Sequence, residues 1–281
     1  MGNSDELPMR QKALRAGCTR RTEESSKAAV RRRSKVLKLT EGGEGHEELK
    51  SAWDFVRCDQ KVRGAGMIAI IDYDAGNLRS VEKALIRIGG EPVITRAPGV
   101  ILGADHVILP GVGSFGDAMR SLTQYGLIPV IQKAVEENIP FLGICLGLQL
   151  LFEGSEESPG VEGLSLLKGM IRRIPSDGPV CKGAAPSGEP LKIPHMGWNS
   201  LHFDHPGRLF AGLEEGTYVY FVHSYYLEAA DPQIVTASAF YGTDIHASVE
   251  KGNLFACQFH PEKSSDAGMK ILENFLQIRR V

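Results

Sequence analysis

Two short segments of this sequence carry residue types that could perform nucleophilic chemistry. In the first, Cys145 directly follows the apolar run 140–144 and lies between Gly143 and Gly147. Glycines two residues before and after a nucleophile allow a sharp turn from a strand into a helix, which lifts the side chain out of the sheet. The start of that helix favours the thiolate. The pattern predicts a cysteine nucleophile, the plainer interpretation being a small buried apolar residue.

A base and an acid for that thiol lie near the carboxyl terminus. His260 follows the apolar segment 254–258, which places it at the carboxyl end of a predicted strand. In an open parallel sheet, ligand-binding groups gather at this edge. Glu262 lies two residues further on and could orient the imidazole and stabilise its charged form. We predict a catalytic triad of Cys145, His260 and Glu262, the alternative being a surface histidine beside a surface glutamate.

A glycine-rich segment, 110–115 (PGVGSF), follows the strand predicted over 106–109. Its glycines leave backbone N–H groups open at the same edge of the sheet. The amides near Val112 and Gly113, together with that of Leu146, could therefore hold an oxyanion. A glycine-rich turn is weak support taken alone, and this one is not the G-x-x-x-x-G-K-[ST] loop that cradles nucleotide phosphates.

The elements that must position these residues alternate between strand and helix from Met67 onward. Short apolar runs predict buried strands over 67–72, 92–95, 106–109, 140–144 and 254–259. Helical spacing predicts amphipathic helices over 78–88, 116–138, 146–153 and 266–278. This alternation is typical of an α/β fold with an open, mostly parallel sheet and helices on both faces. The middle, 164–249, adds an antiparallel, strand-rich extension, in which 176–190 is a long Gly/Pro-rich loop.

Charge divides the chain near Met67. Residues 1–66 carry 15 Lys and Arg against 10 Asp and Glu, whereas 67–281 carry 17 against 24. Apolar residues in the first part are sparse and lack periodicity, which predicts a basic, disordered extension or upstream sequence from a wrongly assigned start. A nucleic-acid or membrane arm, or an organellar presequence, is the functional alternative. A compact domain is predicted over 67–281.

The composition of the whole chain excludes several classes of protein. Its 281 residues are 42% hydrophobic and 23% charged, with a net charge of −2, which is ordinary for a globular protein. No apolar run approaches the roughly 20 residues that span a bilayer. The five cysteines are scattered and form no C-x-x-C pair. This argues against a disulfide framework or metal site and favours a reducing, cytoplasmic compartment.

Together, the segments GICLGLQ, PGVGSF and FHPEKS resemble the class I, or triad, glutamine amidotransferases. The segments PHMGWN, FVHSY and IIDYDAGNLRSV narrow the resemblance to the family of glutaminase subunits of imidazole glycerol phosphate synthases, which act in histidine biosynthesis. The resemblance covers essentially all of 67–281. It implies a flavodoxin-like amidotransferase domain that hydrolyses glutamine to glutamate and ammonia through a thioester on Cys145, without a cofactor.

The resemblance also implies roles for residues outside the triad. Gln149 and Glu157 would contact the amino-acid end of glutamine, and the backbone at Ser224 and Tyr225 would hold its carboxylate. Ammonia would pass to a separate (β/α)8-barrel cyclase subunit in a heterodimer, with neither nucleic acid nor membrane as partner. Four residues match the partner interface of that family, although each could be plain packing or surface: Asn77, Trp198, Tyr220 and Lys263.

Two alternatives remain open at this point. One is a related amidotransferase subunit that feeds a different acceptor synthase, against which PHMGWN and HSYY argue. The other is a catalytically idle binding module on the same fold, against which the intact Cys145, His260 and Glu262 argue. An α/β-hydrolase with a cysteine nucleophile is less favoured, because its acid normally precedes the histidine by many residues.

Overall fold

The computed structural model describes residues 66–177, 190–203, 205 and 207–280. The extension predicted over 1–66 lies outside the described residues apart from its last one. The loop predicted over 176–190 lies outside them apart from its ends. Both, and the division of the chain at Met67, stay predictions. In the described ranges, no helix combines the length and the apolar character needed to cross a membrane.

A seven-stranded sheet forms the centre of the described chain, in the order β10-β11-β12-β4-β3-β1-β2. Its parallel strands are β1 (Met67–Ile71), β2 (Glu91–Thr95), β3 (His106–Gly111), β4 (Phe141–Cys145) and β12 (Leu254–Cys257). Two further strands continue the sheet beyond β12: β11 (Asp244–Lys251), which is antiparallel to β12, and β10 (Val235–Phe240), which is antiparallel to β11. The predicted α/β fold with a mostly parallel sheet is confirmed.

Helices cover both faces of this sheet. They are α1 (Leu78–Arg87), α2 (Pro98–Leu102), α3 (Phe115–Gln124), α4 (Ile128–Glu136), α5 (Leu146–Leu150) and α6 (Ser265–Gln277). Every residue of β3, β4 and β12 is buried, as expected of strands that are covered on both sides. Alternate side chains enter two separate apolar clusters: Leu109 packs into one, and its neighbour Ile108 into the other.

Two helices differ from the sequence prediction. The single helix predicted over 116–138 is two helices, because the chain turns at Gly126 with φ 63°. The helix predicted over 146–153 ends at Leu150. The carbonyl of Leu150 does not continue the helix, because it accepts a hydrogen bond from Leu164 N at 2.8 Å. The apolar periodicity of the sequence continues past the break at Gly126 and past Leu150, so it indicated neither of these helix ends.

The region predicted as an extension, 164–249, supplies most strands of two small sheets, while its last strands, β10 and β11, belong to the central sheet. A three-stranded sheet contains β5 (Gly154–Ser155), β6 (Gly169–Arg173) and β9 (Tyr225–Ala229). A two-stranded sheet pairs β7 (His195–Ser200) with β8 (Tyr218–His223). Strand β8 is tied to the segment after β12, because His260 N donates to Tyr220 O at 2.9 Å. The extension is therefore placed to form a wall of a site at the carboxyl edge of the central sheet.

Candidate active site

Cys145 occupies a strained turn between β4 and α5, with φ 54° and ψ −109°. A positive φ is unfavourable for a residue with a Cβ and persists only where the surroundings enforce it. Close packing of the two flanking glycines does so. A Cβ on Gly143 would lie 2.7 Å from Gly147 O, and one on Gly147 would lie 1.8 Å from Leu109 O. Only glycines permit this approach, which turns the chain sharply at the cysteine.

His260 and Glu262 form a buried pair directly after β12. His260 Nδ1 lies 2.8 Å from Glu262 Oε1, and the two side chains are 2% and 0% exposed. Because a carboxylate only accepts hydrogen bonds, Nδ1 carries a hydrogen and donates a hydrogen bond to Glu262. Burial alone would lower the pKa of His260, but the side chains of Cys145 and Glu262 raise it to about 9. The imidazole is therefore protonated at neutral pH.

The thiol of Cys145 has two polar neighbours. It donates to Val222 O at 3.9 Å, and Gln258 Nε2 lies 3.6 Å from its sulfur. Nε2 of His260 is buried and has no hydrogen-bond partner among the described residues. The imidazole is thus not hydrogen-bonded to the sulfur in this structure. Catalytic hydrogen bonds in ligand-free sites commonly form only when substrate binds.

All seven residues predicted to hold an oxyanion or the substrate line one cavity with Cys145 and His260. They are Val112, Gly113, Leu146, Gln149, Glu157, Ser224 and Tyr225. The cavity has a volume of about 270 Å³. Gly113 has φ 104°, a conformation that glycine adopts without strain. The structure therefore brings Cys145, His260 and the predicted binding residues to one cavity at the carboxyl ends of β3, β4 and β12, with Glu262 hydrogen-bonded to His260.

Glu157 also has a structural contact. Its Oε2 accepts from Phe115 N at 2.8 Å, at the first turn of α3. Next to it, Ser158 Oγ accepts from Gly116 N at 3.0 Å. These bonds satisfy free N–H groups at the start of the helix, where a carboxylate is favoured. They also fix the end of the glycine-rich segment that precedes α3.

Asn77 lies beside the triad. Its Nδ2 donates to Glu262 Oε1 at 2.6 Å, and the residue has φ 71° just before α1. The family resemblance places Asn77 at a partner interface, and no pattern in the sequence indicates this contact. The interface role stays a prediction, and the contact with the acid is an additional one.

The other three residues assigned to the interface form one surface patch. Trp198 is 52% exposed and its ring lies 6.1 Å from that of Tyr220, edge to face. Lys263 Nζ lies 5.9 Å from the centre of the Tyr220 ring. We call Trp198, Tyr220 and Lys263 the aromatic patch. It adjoins the triad, because Lys263 follows Glu262 in the chain.

Two buried histidines behind the cavity were quoted in sequence motifs without a role. His223 lines the cavity, and its Nδ1 donates to Tyr225 O at 2.9 Å. Its Nε2 therefore accepts from His195 Nδ1, at 3.0 Å. Burial lowers the pKa of His195 to about 4 and that of His223 to about 3, so both rings are neutral. Their hydrogen bonds fix the wall of the cavity.

Gln258 is the contact residue that sequence reasoning missed entirely. It is fully buried and touches both Gln149 and Cys145. One signal was available: a glutamine interrupts the otherwise apolar stretch 254–259, two residues before the predicted base. A buried polar side chain at that position needs partners, and the site supplies them.

Comparison with known proteins identifies the family. A family model described as "Glutamine amidotransferase class-I" matches residues 69–278. The chain belongs to the class I glutamine amidotransferases. This amidotransferase is 49% identical over 213 residues to "Imidazole glycerol phosphate synthase subunit HisH" of Moorella thermoacetica, covering 76% of this chain and 95% of the relative. The protein of the same name from Geobacillus sp. (strain WCH70) is 51% identical over 212 residues, which cover 75% of this chain and 97% of the relative. The amidotransferase therefore belongs to the HisH family, as the sequence motifs predicted.

Solved structures with lower identity agree on the fold of the amidotransferase. A crystal structure of a glutamine amidotransferase aligns with a TM-score of 0.56 and 20% identity, covering 75% of this chain and 99% of that one. The structure of PurLQS from Thermotoga maritima aligns with a TM-score of 0.54 and 22% identity, covering 75% and 97%. At these identities the likeness concerns the fold alone.

Proposed function

We propose that this chain is the glutaminase subunit of an imidazole glycerol phosphate synthase, and that Cys145, His260 and Glu262 are its catalytic triad. The observation that carries the proposal is the strained Cys145 turn, which opens on the same cavity as His260, the imidazole of the buried His260–Glu262 pair. The assignment to this particular synthase is supported by relatives that are named as its subunits and are about 50% identical to this chain.

The first half of the reaction forms a thioester. The Cys145 thiolate attacks the side-chain carbonyl carbon of glutamine, and the backbone amides around Val112, Gly113 and Leu146 hold the resulting oxyanion. His260 is protonated at neutral pH because its pKa is raised to about 9. It gives its Nε2 proton to the departing nitrogen, so ammonia leaves and the glutamyl thioester remains.

The second half returns the enzyme to its starting state. The now neutral His260 accepts a proton from a water molecule, whose oxygen attacks the thioester carbon. The carbon–sulfur bond breaks, which releases glutamate and restores the Cys145 thiolate and the protonated imidazole. Glu262 holds Nδ1 of His260 throughout, which keeps Nε2 available for proton transfer. Gln149, Glu157, Ser224 and Tyr225 surround the amino-acid end of the substrate.

The ammonia passes to a (β/α)8-barrel cyclase subunit in a heterodimer, where it enters histidine biosynthesis. The aromatic patch is the proposed docking surface, together with Asn77. A partner bound there would lie directly against the segment that carries Glu262. The two cysteines of the described residues, Cys145 and Cys257, are free thiols, which supports a reducing, cytoplasmic compartment. The domain over 67–281 contains the complete proposed site.

The test measures ammonia release from glutamine by the purified chain, alone and with a cyclase subunit and its nucleotide substrate. The proposal expects slow release alone, a large rise with both additions, and no release by Cys145→Ser in either case. Equal release under all conditions would contradict the assigned partner and favour an amidotransferase serving another acceptor. Absence of release with reduced, intact Cys145 would contradict the glutaminase and favour a binding module.

A further inference from the structure

One backbone carbonyl determines how two buried carboxamides next to Cys145 are oriented. Tyr225 O can only accept a hydrogen bond, and the amide of Gln149 lies 3.1 Å from it. Gln149 therefore presents Nε2 to that carbonyl. The same Nε2 lies 3.0 Å from the carboxamide of Gln258. Since a nitrogen of this kind only donates, Gln258 must present Oε1.

The contact with Gln149 fixes the orientation of the Gln258 amide, and no assumption about the Cys145 sulfur is needed. With Oε1 directed to Gln149, its Nε2 is on the opposite side of the carboxamide, 3.6 Å from Cys145 Sγ. Sulfur is larger than oxygen, so an N–H···S contact is longer than an N–H···O bond. Turning the Gln258 amide over would place two donors against each other. It would also remove the donor from the sulfur.

Water is excluded from the side of the sulfur that faces Gln258, because the Gln258 side chain is fully buried and Cys145 is only 6% exposed. An N–H group that points at a buried sulfur favours the charged thiolate over the neutral thiol. The backbone reinforces the arrangement, since β12 runs parallel to β4 with Cys257 opposite Ile144. The residues that follow these two, Gln258 and Cys145, are thus brought side by side.

We propose that Gln258 is a further catalytic residue, whose amide N–H donates to the Cys145 sulfur and stabilises the thiolate before glutamine binds. Gln149 acts as its positioning residue, because the contact between the two amides holds Gln258 in the donating orientation. The inference rests on the proposed function in one respect, that Cys145 is the nucleophile. It adds a contact that the triad and the oxyanion amides do not provide.

The experiment measures the pH dependence of Cys145 alkylation by iodoacetamide in the full chain without glutamine, with peptide mass spectrometry to isolate this cysteine. Gln258→Met keeps the length of the side chain and removes the donor. Gln258→Glu keeps the shape and places a carboxylate oxygen at the sulfur. We expect alkylation of Cys145 at neutral pH to be roughly tenfold slower in the first variant than in the wild type, and slower again in the second. The matched control is Gln277→Met, a substitution at an exposed position of α6, which should leave this rate unchanged.

An unchanged alkylation rate in a folded Gln258→Met, or a rate in Gln258→Glu no lower than in Gln258→Met, would overturn the proposal. A second measurement needs no substitution at Gln258. In the 15N-labelled wild type, one side-chain amide signal should shift with pH, with the same midpoint as Cys145 alkylation. In Cys145→Ala this signal should no longer shift with pH. The absence of such a signal in the wild type would also overturn the proposal. Alkylation is read without substrate, so a chain that releases no ammonia can still pass or fail this test. Failure of the proposed function is thereby distinguished from failure of this inference.

Discussion

Asn77 and Glu262 are joined by a 2.6 Å hydrogen bond, although 185 positions separate them in the chain. The oxygen that accepts from Asn77 Nδ2 is the same one that accepts from His260 Nδ1. Asn77 makes no side-chain cap for α1, so its amide is directed to the triad instead. Two donors on one oxygen hold the carboxylate, and through it the imidazole, in a single orientation.

The first prediction concerns this bond. Asn77→Ala should lower kcat for ammonia release about tenfold, because a lost hydrogen bond to a charged group is worth about 1.5 kcal/mol. The KM for glutamine should change less than twofold, since Asn77 is not among the residues that line the cavity. Steady-state kinetics with a saturating cyclase subunit provides the measurement.

Asn274→Ala is the matched control for that substitution. Its side chain donates to Leu209 O and Ala211 O, so the variant loses comparable bonds on α6 while its kcat should stay at the wild-type value. An Asn77→Ala variant with normal kcat and weaker binding of the cyclase subunit would contradict a positioning role. It would leave Asn77 as an interface residue only.

Patterns among neighbouring residues were enough to predict much of the fold and the residues at the centre of the site. The Cys145 turn could be predicted because a buried strand, two glycines and a helix start occur within a few residues. His260 could be predicted because it ends a short apolar strand. Each of these signals depends on neighbours in the chain, and the parallel sheet then brings the strand ends together.

Contacts between distant side chains could not be predicted in this way. No local pattern indicates that Asn77 reaches Glu262, that Gln258 faces Cys145, or that His195 and His223 share a hydrogen bond. Such contacts depend on the exact register of strands that are far apart in sequence. The break at 126 was missed for a related reason, since the apolar periodicity continues across it.

Glycine packing at the nucleophile gives a second prediction. Gly147→Ala should destabilise the protein by about 3 kcal/mol, because its Cβ would overlap Leu109 O at 1.8 Å and the backbone must shift. Gly99→Ala is the control, since nothing lies within 4 Å of its Cβ position in α2. It should stabilise the helix by about 0.5 kcal/mol. Urea unfolding measures both, and equal free energies of unfolding would contradict the packing argument.

The buried histidine pair predicts acid sensitivity. Burial lowers the pKa of His195 to about 4 and that of His223 to about 3, so folding favours the neutral rings. Their contribution to stability is therefore full above pH 6.5 and declines as the pH falls toward these values. Each ring should account for about 2 kcal/mol of lost stability between pH 7 and pH 5. His195→Gln should be less stable at pH 7 but lose about 2 kcal/mol less over this interval, and parallel curves from urea unfolding would refute the assignment.

The aromatic patch gives a prediction about the partner. Trp198→Ala should weaken binding of the cyclase subunit about thirtyfold, because exposed tryptophans at interface centres often contribute about 2 kcal/mol. The free energy of unfolding should change little, since the side chain is 52% exposed. Titration calorimetry measures the affinity. Val161→Ala, a substitution at another exposed apolar position, is the control, and an equal loss in both variants would argue against docking at this patch.

The final prediction concerns the alkaline limb of the activity profile. Burial lowers the pKa of His260, whereas Cys145 and Glu262 raise it more strongly, to about 9. The protonated imidazole, the proposed source of the proton for ammonia, is thus present below pH 9 and lost as the pH rises through that value. The kcat/KM for ammonia release, which reports the free enzyme, should stay constant from pH 7 to about 8 and fall above 9. Glu262→Gln should move this limb about one unit lower, because a neutral amide supports the charged ring less than a carboxylate does. Glu273→Gln, at an exposed position of α6, should leave it in place, and a limb that is identical in all three proteins would exclude His260 as the titrating acid.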